Sequence, residues 1–247
     1  MKDSNELKQV KAENKKASQT GQEKHTLSFR IQKYVEENSK KVMIISGSVI
    51  VAVVLFFVIK GFIEKRAEEN KVQASVKISR VMPFYLEGNF QKALSGDPNK
   101  KIRNDKLIGL TDIINSYGGT KQAKYASIYA AQAYLAMNQI NQAENYFKIA
   151  LDSPSGVVLE GANAGIAVCK ELKSDYKEAA DYYGKASNIA VTQASKGKYL
   201  YFEALCREKL GEKDKAEKLL REIIAENKSD FVGPAKQSLI RLGTIIE

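Results

Sequence analysis

The chain has 247 residues, is 44% hydrophobic and 28% charged, and carries a formal net charge of +10. With one histidine and two cysteines in all, it offers no Cys/His spacing that would hold a metal. The basic balance raises nucleic acid as a partner, but no recognised motif or aromatic-interleaved basic patch accompanies it, and none is expected.

Residues 1–24 are rich in Lys, Glu, Gln, Asn and Ser, with Leu7 and Val10 the only large apolar side chains. Such a segment buries too little surface to offset its ordering entropy, so disorder is expected. Over 25–41, Leu27, Ile31, Tyr34 and Val35 recur at helical spacing and predict a short amphipathic helix lying on a bilayer surface. Residues 1–41 hold ten bases against six acids. That surplus suits anionic headgroups, each nearby base contributing about 1 kcal/mol.

Residues 42–59 (VMIISGSVIVAVVLFFVI) are eighteen in a row without a charge. At about 1.5 Å per residue they span roughly 27 Å as a helix, close to the hydrocarbon thickness. Lys60 interrupts the run, but Gly61, Phe62 and Ile63 continue it, and a lysine near a helix end can snorkel to the headgroups. No A-x-A arrangement of small residues follows Ile59, so 42–63 reads as an uncleaved transmembrane signal anchor. Five bases precede the span closely (Lys24, Arg30, Lys33, Lys40, Lys41) and five follow it (Lys60, Lys65, Arg66, Lys71, Lys77), which ties the positive-inside rule. Lys40 and Lys41 abut the span directly, and a long C-terminal domain translocates largely regardless of charge. The expected orientation is a cytoplasmic N-terminus and an exported domain over 64–247.

That domain reads as all-α. The chain has only four prolines, alternating β-branched runs are almost absent, and Ala, Leu, Tyr and Lys recur at helical spacing between Gly, Asn and Asp turns. Self-comparison finds a repeat: Ala143, Ala179 and Ala216 stand 36 and 37 residues apart. Each is followed four residues later by a large side chain (Phe147, Tyr183, Leu220) and preceded twelve earlier by another alanine (Ala131, Ala167, Ala204). A fainter copy covers 88–94. Alanine at a helix crossing lets two backbones approach, and the bulky residue one turn on fills the groove between units. Cys169 and Cys206 occupy equivalent small, inward positions; stacked helices about 8–10 Å apart are too distant for a disulfide, so two buried thiols are expected.

This A-x-x-x-F element at a period near 34 resembles tetratricopeptide repeats, firmly over 121–227 and loosely over 72–117. Tyr134 sits where the family's first-helix tyrosine belongs, with Lys170 and Arg207 at the matching places in the next two units. Residues 231–246, with Leu239, Leu242 and Ile245, read as a terminal capping helix. The expected architecture is one transmembrane signal-anchor helix followed by a short tetratricopeptide-repeat-like solenoid.

The only histidine, His25, precedes the span, which removes Ser–His and Cys–His nucleophile pairs from the exported domain. Gly118 and Gly119 lie in a turn without a phosphate-binding motif, and the acids Glu68, Glu69, Glu178 and Asp181 read as solvated helix faces. No catalytic, cofactor-binding or metal-binding residue is identified, and no enzyme is expected. The resemblance to the repeat family implies a concave face built from first helices. By register that face carries Tyr125, Ile128, Gln132 and Leu135, then Ala164, Val168 and Glu171, then Lys198, Tyr201, Leu205 and Glu208. It is aromatic and aliphatic, which suits extended or helical apolar segments.

The anchor-plus-repeats architecture, with the stretches YLEGNFQKAL (85–94) and IINSYGGT (113–120), resembles the YfgM-like family of bacterial inner-membrane proteins. The resemblance implies a periplasmic repeat domain acting beside the Sec translocon. It implies translocon subunits, a membrane-anchored periplasmic chaperone or exported clients as partners, and no small-molecule substrate. Two alternatives stay open: a general cell-envelope scaffold for cell-wall or division machinery, and, with the topology inverted, a cytosol-facing repeat receptor.

Overall fold

The computed structural model describes residues 27–244. The tail over 1–24, His25 and Ile245 lie outside the described residues. Among the described residues, eleven helices and one hairpin follow in order: α1 (Leu27–Glu37), α2 (Ser39–Leu86), α3 (Phe90–Ser95), β1 (Gly96–Ile102), β2 (Asp105–Ile108), α4 (Leu110–Tyr117), α5 (Lys121–Ala136), α6 (Ile140–Ala150), α7 (Gly156–Leu172), α8 (Tyr176–Asn188), α9 (Gln193–Lys209), α10 (Lys213–Glu226) and α11 (Val232–Arg241). They divide into two units, Met1–Lys65 and Arg66–Glu247.

In the first unit α1 exposes Ile31, Tyr34 and Val35. Asn38 joins it to α2: its backbone N–H donates to the Tyr34 carbonyl at 3.0 Å, and its own carbonyl accepts the Val42 N–H at 2.9 Å. The apolar start of α2 is exposed throughout, with none of its most apolar eighteen-residue window buried. A helix satisfies its own backbone, as hydrocarbon demands. The two polar residues of the run also turn inward: the Ser46 hydroxyl donates to the Met43 carbonyl at 3.1 Å and Ser48 to Ile45 at 2.8 Å. α2 is the one helix among the described residues long and apolar enough to cross a membrane.

In the second unit each helix from α4 to α11 packs on its neighbours in sequence. Ala131, Ala167 and Ala204 of α5, α7 and α9, and Ala143, Ala179 and Ala216 of α6, α8 and α10, are all at most 1% exposed. Phe147, Tyr183 and Leu220, one turn further on, are also buried. The repeated alanines therefore sit at the helix crossings, where a larger side chain would force the pair apart. The turns repeat too. Gly88, Asn138, Ser174, Gly211 and Gly243 all adopt positive φ. After each, the next N–H reaches back five residues, as Gln139 does to the Tyr134 carbonyl and Asp175 to Lys170. This left-handed cap closes each helix end. Thr120, Asp175 and Thr192 cap the following starts with side-chain oxygens.

Two features depart from the all-α expectation and its boundaries. An antiparallel hairpin, Gly96 opposite Ile108 and Ile102 opposite Asp105, follows the short helix α3. It separates Gly88 from Asn138 by fifty residues instead of thirty-six, which is why the first repeat is faint. Gly96 and Gly109 make it possible: a Cβ on Gly109 would fall 2.0 Å from the Leu94 carbonyl oxygen. Second, the terminal helix ends at Arg241, ahead of the expected 246, because Gly243 at φ +82° caps it.

Cys169 and Cys206 are free and buried. Burial, with Glu144 near one and Glu171 near the other, pushes their thiols up to about 11 and about 12, which keeps them protonated and inert.

The places matching Tyr134 show how the units are tied. Tyr134 stacks on Tyr146 with ring centres 5.2 Å apart. Lys170 instead bridges Glu144 of the preceding α6 and Glu178 of the following α8. Arg207 likewise reaches Asp181 of the preceding α8 at 2.9 Å and Glu212 ahead of α10 at 3.2 Å. Glu144 is 5% exposed and also receives Lys148 and Lys173, each at 2.6 Å. Burial alone would raise its pKa, but those ammonium groups hold the carboxyl down at about 2.

Candidate binding concavity

α5, α7 and α9 are the first helices of three successive pairs, and they jointly line a hollow of about 480 Å³. α7 supplies Gly161, Ala164, Gly165, Val168 and Glu171, a stripe at three- and four-residue spacing along one helix face. Gln132 and Leu135 come from α5, and Lys198, Tyr199 and Phe202 from α9. Two second-helix residues, Phe147 and Tyr183, complete the lining.

The small residues on α7 create the hollow. Gly165 is buried with the Phe147 ring against it, so Phe147 is held 2% exposed. Tyr183 stacks on Phe202 with ring centres 5.5 Å apart. Its hydroxyl donates to Glu171 Oε2 at 2.9 Å. Burial, reinforced by Glu171, raises the Tyr183 phenol, so it remains a neutral donor. Burial, with Glu160 adding to it, pushes Tyr199 up to about 12. Lys198 stands exposed, 5.8 Å from the centre of the Tyr199 ring. The Gln132 amide oxygen accepts the Tyr85 hydroxyl at 2.8 Å, fixing its side chain from α2.

Of the residues expected on the concave face, Gln132, Leu135, Ala164, Val168, Glu171 and Lys198 come together in this hollow. The others do not line it. The Tyr125 hydroxyl meets Ser155 Oγ at 3.1 Å, and Ile128 packs into the interior between α5, α6 and α7. Tyr201 packs against Phe231 with ring centres 5.2 Å apart, and Glu208 pairs with Arg241 at 2.7 Å. Leu205 is half-buried on the same helix. The terminal segment thus occupies the part of α9 that carries Tyr201 and Glu208.

Phe147, Tyr183, Tyr199, Phe202 and the glycines 161 and 165 were not among the expected lining residues. One signal could have found the glycines: two of them one turn apart inside a helix mark a close approach or a hollow. Among the described residues no cluster of His, Cys, Asp and Glu could hold a metal ion. Compared with known proteins, the chain matches no family model and no curated protein.

Proposed function

We propose that the chain is a non-enzymatic, membrane-anchored adaptor whose helical array is a divergent tetratricopeptide-repeat-like solenoid that holds polypeptide segments in its concavity. The observation that carries this reading is the hollow itself: successive first helices converge on an aromatic and aliphatic surface with few polar groups. Apolar surface with a small number of fixed polar groups is the usual make-up of a binding site, and a groove of this kind accepts extended or helical apolar segments. The equivalent burial of the repeated alanines supports the solenoid. The exposed apolar helix α2 supports the anchor.

With the orientation expected from Lys40 and Lys41, the array faces the periplasm of an inner-membrane protein. The resemblance to the YfgM-like family then directs the function to export or chaperone hand-over beside the Sec translocon. A photo-crosslinking side chain at Val168 is expected to label exported polypeptides or translocon-associated chaperone in cells. The same group at Lys218, exposed on α10, is the control. Equal labelling from both positions would refute the concavity as the contact.

A further inference from the structure

Two charges in the concavity, Glu171 and Lys198, lack counter-ions among the described residues. Among the carboxylates of α7 and α9, Glu203 faces Arg207 and Glu208 faces Arg241. Glu160 accepts the Val191 N–H at 2.8 Å. Glu171 accepts the Tyr183 hydroxyl, yet no cation reaches it among the described residues. The cations of α9 divide in the same way, setting aside Lys209, which is exposed at the helix end and does not line the hollow. Lys196 is held by Glu222 at 3.0 Å and Glu226 at 2.6 Å, and Arg207 by three acids. Lys198 meets no carboxylate among the described residues and lines the hollow with Glu171.

A carboxylate beside aromatic and aliphatic surface without a counter-ion pays a desolvation cost that an incoming cation relieves. The Tyr183 hydroxyl occupies Glu171 Oε2 and fixes the group's orientation, leaving Oε1 for a ligand. Lys198, at the exposed edge, adds charge complementarity of the opposite sign, which sets partner choice and register more than raw affinity. The apolar surface of Leu135, Val168 and Phe202 shares the same hollow. A volume of about 480 Å³ is that of a small-ligand site and admits a few residues of a chain, not a folded domain.

We infer that the concavity selects a short polypeptide segment in which apolar side chains lie between a basic residue, read by Glu171, and an acidic residue, read by Lys198. This rests on the polypeptide-binding reading above and names the class of segment it takes.

The test uses the full chain in lipid nanodiscs and fluorescein-labelled nonapeptides sharing a Leu-Phe-Leu core. The core is flanked by Lys and Glu in either order, or by Gln on both sides, and binding is read by anisotropy. The better charged order is expected to bind about tenfold more tightly than the Gln-flanked peptide at low salt. Glu171→Gln should abolish the preference for the peptide's Lys, and Lys198→Gln the preference for its Glu. Leu135→Asp should weaken all three peptides together. Equal binding of the three peptides, sensitive to Leu135→Asp, would overturn the charge reading and leave the polypeptide-binding reading standing. Failure of every peptide to bind would overturn both.

Discussion

A Cβ atom on Gly165 of α7 would lie 2.3 Å from the Phe147 ring of α6, whereas one on Gly161, a turn earlier, would meet only Ile128 Cδ1 at 3.9 Å. The two glycines therefore respond oppositely to the same change. Gly165→Ala forces the buried Phe147 out of place and is expected to destabilise the unit by about 1–3 kcal/mol, the usual cost of overpacking. Gly161→Ala removes a poor helix former without a clash and is expected to stabilise by up to about 1 kcal/mol. Urea melts of the two variants check the pair, and a shared sign would contradict the packing described.

Glu144 makes stability depend on acid pH. Its folded pKa, at about 2, lies below the ordinary carboxyl value of 4.5. A depressed folded value contributes stability that is present above the unfolded pKa and is lost as pH falls through the folded one. The window is therefore pH 4.5 down to about 2, with about 3 kcal/mol at stake. Denaturant midpoints across that range should fall more steeply in the wild-type chain than in Glu144→Gln. Parallel pH profiles would show that the three lysines do not act on Glu144 as the geometry requires.

Arg207 should be harder to remove than an exposed ion-pair residue. Its guanidinium serves Asp181, Glu203 and Glu212, and Glu203 is the half-buried one, its pKa raised by burial despite the arginine. Arg207→Ala strands that carboxylate and is expected to cost about 3 kcal/mol. Adding Glu203→Gln should restore a large part of the loss, since the second change removes the stranded charge. A double variant no more stable than the single one would assign the loss to packing of the arginine stem.

The absence of tryptophan from the chain allows a clean probe of α1. In anionic nanodiscs, Tyr34→Trp, on the face shared with Ile31 and Val35, is expected to emit blue-shifted light and be quenched by brominated lipid. Glu36→Trp, on the opposite side of the same helix, should stay near the water value. Identical spectra would mean that this face does not enter the headgroup layer.

Much of the fold was legible because alanine spacing reports how closely two helices approach, and the six repeated alanines are all buried. The period also reappears in the left-handed turns at Asn138, Ser174 and Gly211. The hairpin was not legible: residues 96–108 are polar, carry no alternation, and place Lys101 directly opposite Lys106, a like-charge pairing that strand propensity disfavours. Backbone space at Gly96 and Gly109 determines it, and spacing does not reveal that. Of the residues placed on the concave face by register, Gln132, Leu135, Val168, Glu171 and Lys198 line the hollow. Tyr125 and Ile128 of α5 and Tyr201 and Glu208 of α9 are held elsewhere, the last two by Phe231 and Arg241. A repeat pattern treats every unit alike and cannot anticipate a terminal segment folding back on the last one. The aromatic lining from Phe147 and Tyr183 was visible as groove-filling residues, but their second role depends on the glycines opposite.

The export role proposed for the concavity turns on which side of the membrane it faces. The most direct measurement is protease digestion of the Arg66–Glu247 unit in cells whose outer membrane has been permeabilised while the cytoplasm stays sealed. Cleavage of that unit under those conditions, with protection in untreated cells, is the expected result. Protection that persists until the inner membrane is broken would place the concavity in the cytosol and contradict the export reading.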